Sequence, residues 1–265
     1  MGYSEVTMIA YSIAMVITSV MGVLMERGQP ALLYSVPSCI AAPCFLAYKR
    51  NELGKLVNFR AGGITQIEKS ELGSIQNTLA KWAFYPTLLY GLLRNRLSSS
   101  FAWYTRIDDN VILGALPFKS MLKELVEDNN VGGVVCLNQP HEVEHDWVAK
   151  KCDFELWGVK YYWLPIRDFF YAPSIIDLEY AIQFIRDVKK SGKTVYVHCK
   201  AGIGRSATVV AAYLMDVRDL SCDEAVHEIK RLRPHVSLRG AKLRCLRDYE
   251  RELRRIRELV VFGPA

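Results

Sequence analysis

From Val6 to Met25 the chain carries no charged residue, and after the short polar loop Glu26-Arg27-Gly28-Gln29 a second uncharged stretch runs from Pro30 to Tyr48. Each is about the length a helix needs to cross a bilayer, so the pattern predicts a transmembrane helical hairpin over residues 1–58. Lys49, Arg50, Lys55 and Arg60 come next, which by the positive-inside tendency puts both ends of the hairpin on a cytosolic or matrix side. Pro30, Pro37 and Pro43 interrupt the second span. Irregular backbone at that depth is tolerated only where protein or water covers it, so the hairpin reads as one shaped to pack against further helices. Residues 59–78 are polar, lack a sustained period and read as a linker. Over residues 79–100 the pattern changes again, to Trp82, Phe84, Tyr85, Leu88, Leu89, Tyr90, Leu92 and Leu93 between Lys81 and Arg94/Arg96. That segment is too short to span. It suits either an amphipathic helix lying on an anionic membrane surface or a helix that covers the domain following it.

Beyond residue 100 strand-like and helix-like runs alternate. Val111 to Ala115, Gly132 to Leu137, Tyr161 to Leu164 and Thr194 to His198 read as short buried strands. Met121 to Val126 reads as a short helix. Ser174 opens a longer one with Leu178, Ala181, Ile182, Ile185 and Val188 on one stripe. Ala207 to Met215 is apolar on nearly every face, as expected of a buried helix. Ser221-Cys-Asp-Glu224 is a capping box opening a helix that Pro234 closes. Leu243, Leu246, Leu253 and Ile256 mark a last helix whose other face is rich in arginine, and residues 259–265 read as a tail. The alternation predicts an α/β domain over 101–258, a central sheet flanked by helices on both sides.

Composition narrows the chemistry only a little. Seven cysteines in 265 residues show no paired spacing, so neither a disulfide framework nor a CxxC zinc site is expected, and the soluble part belongs in a reducing compartment. A net charge of +6 suits phosphates or anionic lipid and does not call for nucleic acid. No cofactor is implied.

The candidate chemistry is concentrated in Val195-Tyr-Val-His-Cys-Lys-Ala-Gly-Ile-Gly-Arg-Ser206. A buried strand runs into His198 and Cys199. A tight loop (Lys200, Ala201, Gly202, Ile203, Gly204) follows, and Arg205 and Ser206 open a helix. Loop amides, a helix N-terminus and glycines that allow close approach make an anion cradle. The same field acts on Cys199, since a thiol near pH 8.5 when free falls to roughly 3.5–7.5 beside such positive charge. Arg205 offers a planar fork for two phosphate oxygens, which a lysine cannot copy. The Ser206 hydroxyl can stabilise a leaving thiolate. The match of His198-Cys199, five residues, then Arg205-Ser206 resembles the signature of the cysteine-based protein tyrosine phosphatase superfamily.

A phosphoenzyme route also needs an acid for the departing oxygen. Asp168, in Leu164-Pro-Ile-Arg-Asp168-Phe-Phe-Tyr-Ala-Pro173, lies on a loop after a strand, 31 residues before Cys199. That placement resembles the general-acid loop of dual-specificity phosphatases. His141-Glu142-Val-Glu-His145 matches H-E-x-x-H, but it follows Pro140 directly, sits in polar sequence and has no third ligand placed downstream. It reads as a polar loop entering a helix, with no metal.

The resemblance can be narrowed. Phe84-Tyr-Pro-Thr-Leu-Leu-Tyr90, Trp103-Tyr-x-Arg-Ile-Asp108, Leu113-Gly-Ala-Leu-Pro117 and the Cys199 loop occur in order. Over residues 79–256 they are similar to the mitochondrial dual-specificity-type phosphatases that dephosphorylate phosphatidylglycerophosphate on the way to cardiolipin. The resemblance implies a lipid phosphatase at the matrix face of the inner membrane, with Cys199 as nucleophile, Asp168 as acid and Arg205 as phosphate clamp. Asn138 and Glu142 match a loop near the active site of that family, which implies that Glu142 helps order the pocket. The sequence departs at Ile203 and Gly204, where the family often carries a further basic residue; Lys200 remains, at the expected rim of the pocket. Two other readings follow from the same residues, a protein phosphatase acting on phosphotyrosine and phosphothreonine, and a non-catalytic phosphate-binding module. Separately, Gln29-Pro-Ala-Leu-Leu-Tyr34 with Val36-Pro37 resembles the Pro-Ala-Leu region of signal-peptide-peptidase-like intramembrane proteases. The Gly-x-Gly-Asp of that family occurs nowhere in the chain, so residues 1–58 resemble a protease tail without its active site. A fused gene or a mis-joined gene model accounts for the mixture, and the hairpin could direct the chain to the secretory membranes.

Overall fold

The computed structural model describes residues 84–85, 87–97, 101–168 and 171–262. The expected hairpin and linker lie outside these residues. Among the described residues no helix is long and apolar enough to cross a membrane. The chain divides into two units, Met1–Ser99 and Ser100–Ala265. In the first, residues 84–85 and 87–97 are helical, and Tyr85, Leu89, Leu92 and Leu97 are exposed.

The described residues of the second unit form five strands, β1 (Tyr104–Arg106), β2 (Val111–Gly114), β3 (Val131–Cys136), β4 (Lys160–Trp163) and β5 (Thr194–His198). Their order across the sheet is β1-β2-β5-β3-β4. Only β1 runs antiparallel, against β2; β5 lies between β2 and β3, parallel to both. All five residues of β5 are buried, as a central parallel strand covered on both faces must be.

Among the described residues six α-helices follow or interrupt the strands: α1 (Pro140–Val143), α2 (Lys151–Leu156), α3 (Ile175–Lys189), α4 (Arg205–Val217), α5 (Cys222–Leu232) and α6 (Ala241–Phe262). Side chains alternate across a strand, and here the alternation sorts two cores. Val195 and Val197 face the larger one, with α3, α4, α5 and α6, while Tyr196 faces the smaller one, with Phe154 of α2. Cys199 continues the parity of Val195 and Val197 and so arrives on the face covered by α4.

The capping signals were legible. Ser174 accepts from the Asp177 amide and Ser221 from the Glu224 amide, each within a full capping box. The expected helix at Met121 to Val126 is instead a 3₁₀ turn (Lys119–Met121) followed by a π-helical turn (Glu124–Asp128). Only Leu125 of that π turn is buried, so a single apolar side chain anchors it and no stripe demands a regular helix. The last helix runs to Phe262, into the segment read as tail. Its arginine face is largely compensated: Arg251, Arg254 and Arg255 pair with Asp248, Glu250 and Glu252 within one turn. Exposed pairs of this kind contribute little stability.

Candidate active site

The Cys199 loop is held from outside by its carbonyls. The Leu116 amide donates to Lys200 O at 3.2 Å, the Ser237 amide to Ile203 O at 3.0 Å, and the Thr208 amide to Gly204 O at 2.9 Å. Between them the Arg233 guanidinium donates to Gly202 O at 3.0 Å and to Ala201 O at 3.4 Å. Every carbonyl from Lys200 to Gly204 is therefore engaged by the surrounding scaffold. Among the described residues no backbone carbonyl accepts from the amides of Ala201, Gly202, Ile203 or Gly204. A row of unspent amides beside a helix N-terminus is a cradle for an oxyanion. Gly202 is required at its place, because its φ is +67° and a Cβ there would lie 2.7 Å from the Gly114 carbonyl.

Cys199 lies 3 % exposed at the base of this loop, and its Sγ accepts from Ser206 Oγ at 3.2 Å. Burial alone would push the thiol up. The Arg205 charge and the Ser206 hydroxyl and amide outweigh burial, with Asp168 opposing them, and hold Cys199 below its ordinary value. Removing one of those groups should move the titration back. Ser206→Ala is expected to shift the pH at which Cys199 reacts with iodoacetamide upward, read by mass spectrometry of its peptide. An unmoved profile would mean that the hydroxyl does not stabilise the thiolate. His198 is fully buried, and desolvation pushes its imidazole down to about 3, so it is neutral at working pH.

Arg205 does not point outward. It is 1 % exposed, and one of its edges is fully used: Nη1 donates to Glu142 Oε2 at 2.7 Å and to the Leu137 and Ile166 carbonyls, and Nη2 donates to Glu142 Oε1 at 2.9 Å. Glu142 is itself fixed, because its Oε2 caps the Gln139 amide at 2.7 Å at the start of α1. A guanidinium carries five N–H groups. What remains is the Nε–H and the second Nη2 hydrogen, which lie along a single edge. The Nε–H makes no aligned hydrogen bond, although Asp168 Oδ1 stands 3.3 Å from it. That edge is the one a phosphate can take in two parallel bonds.

Asp168 reaches the same place from the loop after β4. Its Oδ2 is 2.6 Å from Lys200 Nζ while Oδ1 faces Arg205, so the carboxylate lies between the two cations that an incoming phosphate would meet. Asn138 is wholly buried. Its carbonyl accepts from Trp163 Nε1 at 2.9 Å, and neither polar atom of its side chain has a hydrogen bond among the described residues. The fold takes the H-E-x-x-H stretch apart. Glu142 turns to Arg205, and the His145 ring stacks on Trp147 at 5.0 Å.

Two residues of the site had no signal in the sequence. Arg233 was one more cation at the end of α5 beside Lys230 and Arg231, yet it is 1 % exposed and also donates to Ala102 O and Thr105 Oγ1. Lys242, on α6, lies against Gly204. Only the three-dimensional arrangement distinguishes either from its solvated neighbours.

Comparison with known proteins decides the family. The chain is 41 % identical over 177 residues to the rat (Rattus norvegicus) phosphatidylglycerophosphatase and protein-tyrosine phosphatase 1, covering 66 % of this chain and 91 % of the rat protein. The family model of the dual specificity phosphatase catalytic domain matches residues 121–252. The chain belongs to the dual specificity phosphatase family. As such it is a cysteine-dependent phosphatase. The Arabidopsis thaliana phosphatidylglycerophosphate phosphatase PTPMT2 is 38 % identical over 168 residues, 63 % of this chain and 72 % of that protein. A crystal structure of PTPMT1 in complex with PI(5)P is 38 % identical with a TM-score of 0.57, covering 58 % of this chain and 99 % of that one. A second family model, signal peptide peptidase, matches residues 1–62, outside the described residues.

Proposed function

We propose that this phosphatase hydrolyses the terminal phosphate monoester of phosphatidylglycerophosphate to give phosphatidylglycerol, a step toward cardiolipin. The observation that carries the reading is the similarity, along nine-tenths of its length, to a protein named for that activity. A solved relative complexed with a phosphoinositide supports an anionic lipid as substrate.

The residues act as follows. The Cys199 thiolate attacks phosphorus while three phosphoryl oxygens sit against the amides of Ala201 to Gly204 and the open edge of Arg205. As the S–P bond forms, the P–O bond to glycerol breaks and Asp168, entering as the acid, gives its proton to the glycerol oxygen. Water then attacks the cysteinyl phosphate, Asp168 takes up its proton, and Ser206 donates to the departing sulfur as inorganic phosphate leaves. His198 and Asn138 shape the floor and wall of the site. Glu142 aims Arg205, and Lys200 stands at the rim.

The helix at 87–97, with its exposed leucines, lies on the membrane in this reading, at the matrix face of the mitochondrial inner membrane. Residues 1–58 contribute no proteolysis.

Asp168→Asn is expected to lower kcat on the lipid by about 10²–10⁴-fold, the scale of one general acid. It should act much less on para-nitrophenyl phosphate, whose leaving group needs little protonation. Equal losses on both substrates would move the acid elsewhere. The deciding experiment for the substrate is phosphate release from phosphatidylglycerophosphate in vesicles, with a phosphotyrosine peptide alongside. The second reading, a protein phosphatase, is favoured by the other half of the rat relative's name, and a higher kcat/KM on the peptide would establish it.

A further inference from the structure

Two cations of the site come from the loop itself and its helix start. Lys200 faces Asp168, and Arg205 faces Glu142 and Asp168, all at ion-pair distance. A third cation comes from elsewhere in the chain. Lys242 stands in the first turn of α6, at the head of the stripe Lys242, Leu246, Tyr249 that the helix buries, while Arg244 and Arg247 on its other side are exposed. The pattern of α6 asks for an apolar residue there. A lysine is instead held 8 % exposed, where burial disfavours its charge and the negative charges of Asp168 and Cys199 favour it. Long cationic side chains ordinarily escape such a position by carrying the charge out to water.

The loop makes room for it. Gly204 has φ −126° and ψ −72°, so no left-handed backbone demands glycine. A Cβ at that position would stand 2.9 Å from Lys242 Cε and 3.7 Å from Nζ. What the missing side chain provides is contact between the Lys242 ammonium arm and the wall of the phosphate cradle.

We infer that Lys242, seated against bare Gly204, forms a subsite for a second anionic phosphate group on the substrate, set off from the reacting monoester by a short linker. The inference rests on the reading of a lipid head group that carries a phosphodiester one glycerol away from its monoester, and it assigns the cation that meets that phosphodiester. Ile203 and Gly204 carry no charge, and the last helix places one beside them.

The test uses soluble ligands and the full-length protein. Glycerol 1,3-bisphosphate and glycerol 1-phosphate compete with para-nitrophenyl phosphate, and the ratio of their inhibition constants isolates the second anion. The wild type is expected to prefer the bisphosphate. Lys242→Gln should reduce that preference about tenfold, the scale of one charge-assisted hydrogen bond, and Lys242→Arg should restore most of it. Thermal unfolding of each variant checks the fold. A merely structural Lys242, or one that only stabilises the thiolate, would weaken both ligands alike and leave the ratio unchanged. An unchanged ratio, or a wild type with no preference, overturns the subsite. The lipid reading fails separately: a protein that shows the Lys242-dependent ratio but releases no phosphate from phosphatidylglycerophosphate vesicles keeps the subsite and loses the lipid.

Discussion

Cys199→Ser is expected to lower phosphate release from phosphatidylglycerophosphate vesicles on the order of 10⁴–10⁶-fold, the scale of losing a covalent nucleophile. The reason is electrostatic. The Arg205 charge and the Ser206 donors lower a thiol far enough to compete with burial, but a serine hydroxyl starts many units higher and stays protonated in the same field. Binding should survive, because the loop amides and the open edge of Arg205 do not involve the sulfur. The variant is therefore expected to retain the lipid while failing to turn it over, with no burst of phosphate in a single-turnover experiment. A serine variant as active as wild type would leave the loop a phosphate-binding module and place the chemistry on another group.

Glu142→Ala should have the largest effect on stability. The Arg205–Glu142 pair is almost completely buried, with side chains 1 % and 2 % exposed. Removing one partner of such a pair leaves an uncompensated charge and costs about 3–5 kcal/mol. For a domain of this size each kcal/mol lowers Tm by roughly 2–4 °C, so a fall of about 6–20 °C is expected in thermal unfolding. Activity should fall beyond what unfolding explains, because the free edge of Arg205 is aimed by the carboxylate that holds the opposite edge. A misplacement of about 1 Å at a reacting centre costs on the order of 10²-fold. Glu142→Gln keeps an acceptor for one of the two bonds and should be milder in both measurements. A Glu142→Ala protein that melts and turns over as wild type would show that the Leu137 and Ile166 carbonyls hold Arg205 unaided.

The strong dependence of Arg205 on a residue 63 positions away marks the boundary of what could be read in advance. Cys199, the loop, Arg205 and Ser206 are consecutive, and the strand before and the buried helix after them are signalled by their own periodicity. Contact among these groups follows from local geometry alone, so spacing suffices to place them together. Asp168 was legible for a weaker reason, a loop position after a strand, and the fold brings its carboxylate to Lys200 and Arg205. The π turn at Glu124–Asp128 and the edge strand β1 were missed, because three to five residues carry too little pattern to outweigh their neighbours.

By itself, then, the order of residues determined an α/β domain in which a strand, a tight loop and a helix follow one another around Cys199, since each of those elements is dictated by contacts within a few positions. The tertiary structure decided how the loop is held open, which edge of Arg205 stays open, and that Arg233 and Lys242 are buried in a polypeptide where they resemble ordinary surface cations. Burial is a property of what surrounds a side chain, and that surrounding is assembled from segments 31 to 131 residues apart for Arg233 alone. No local pattern of hydrophobic and polar positions can carry it.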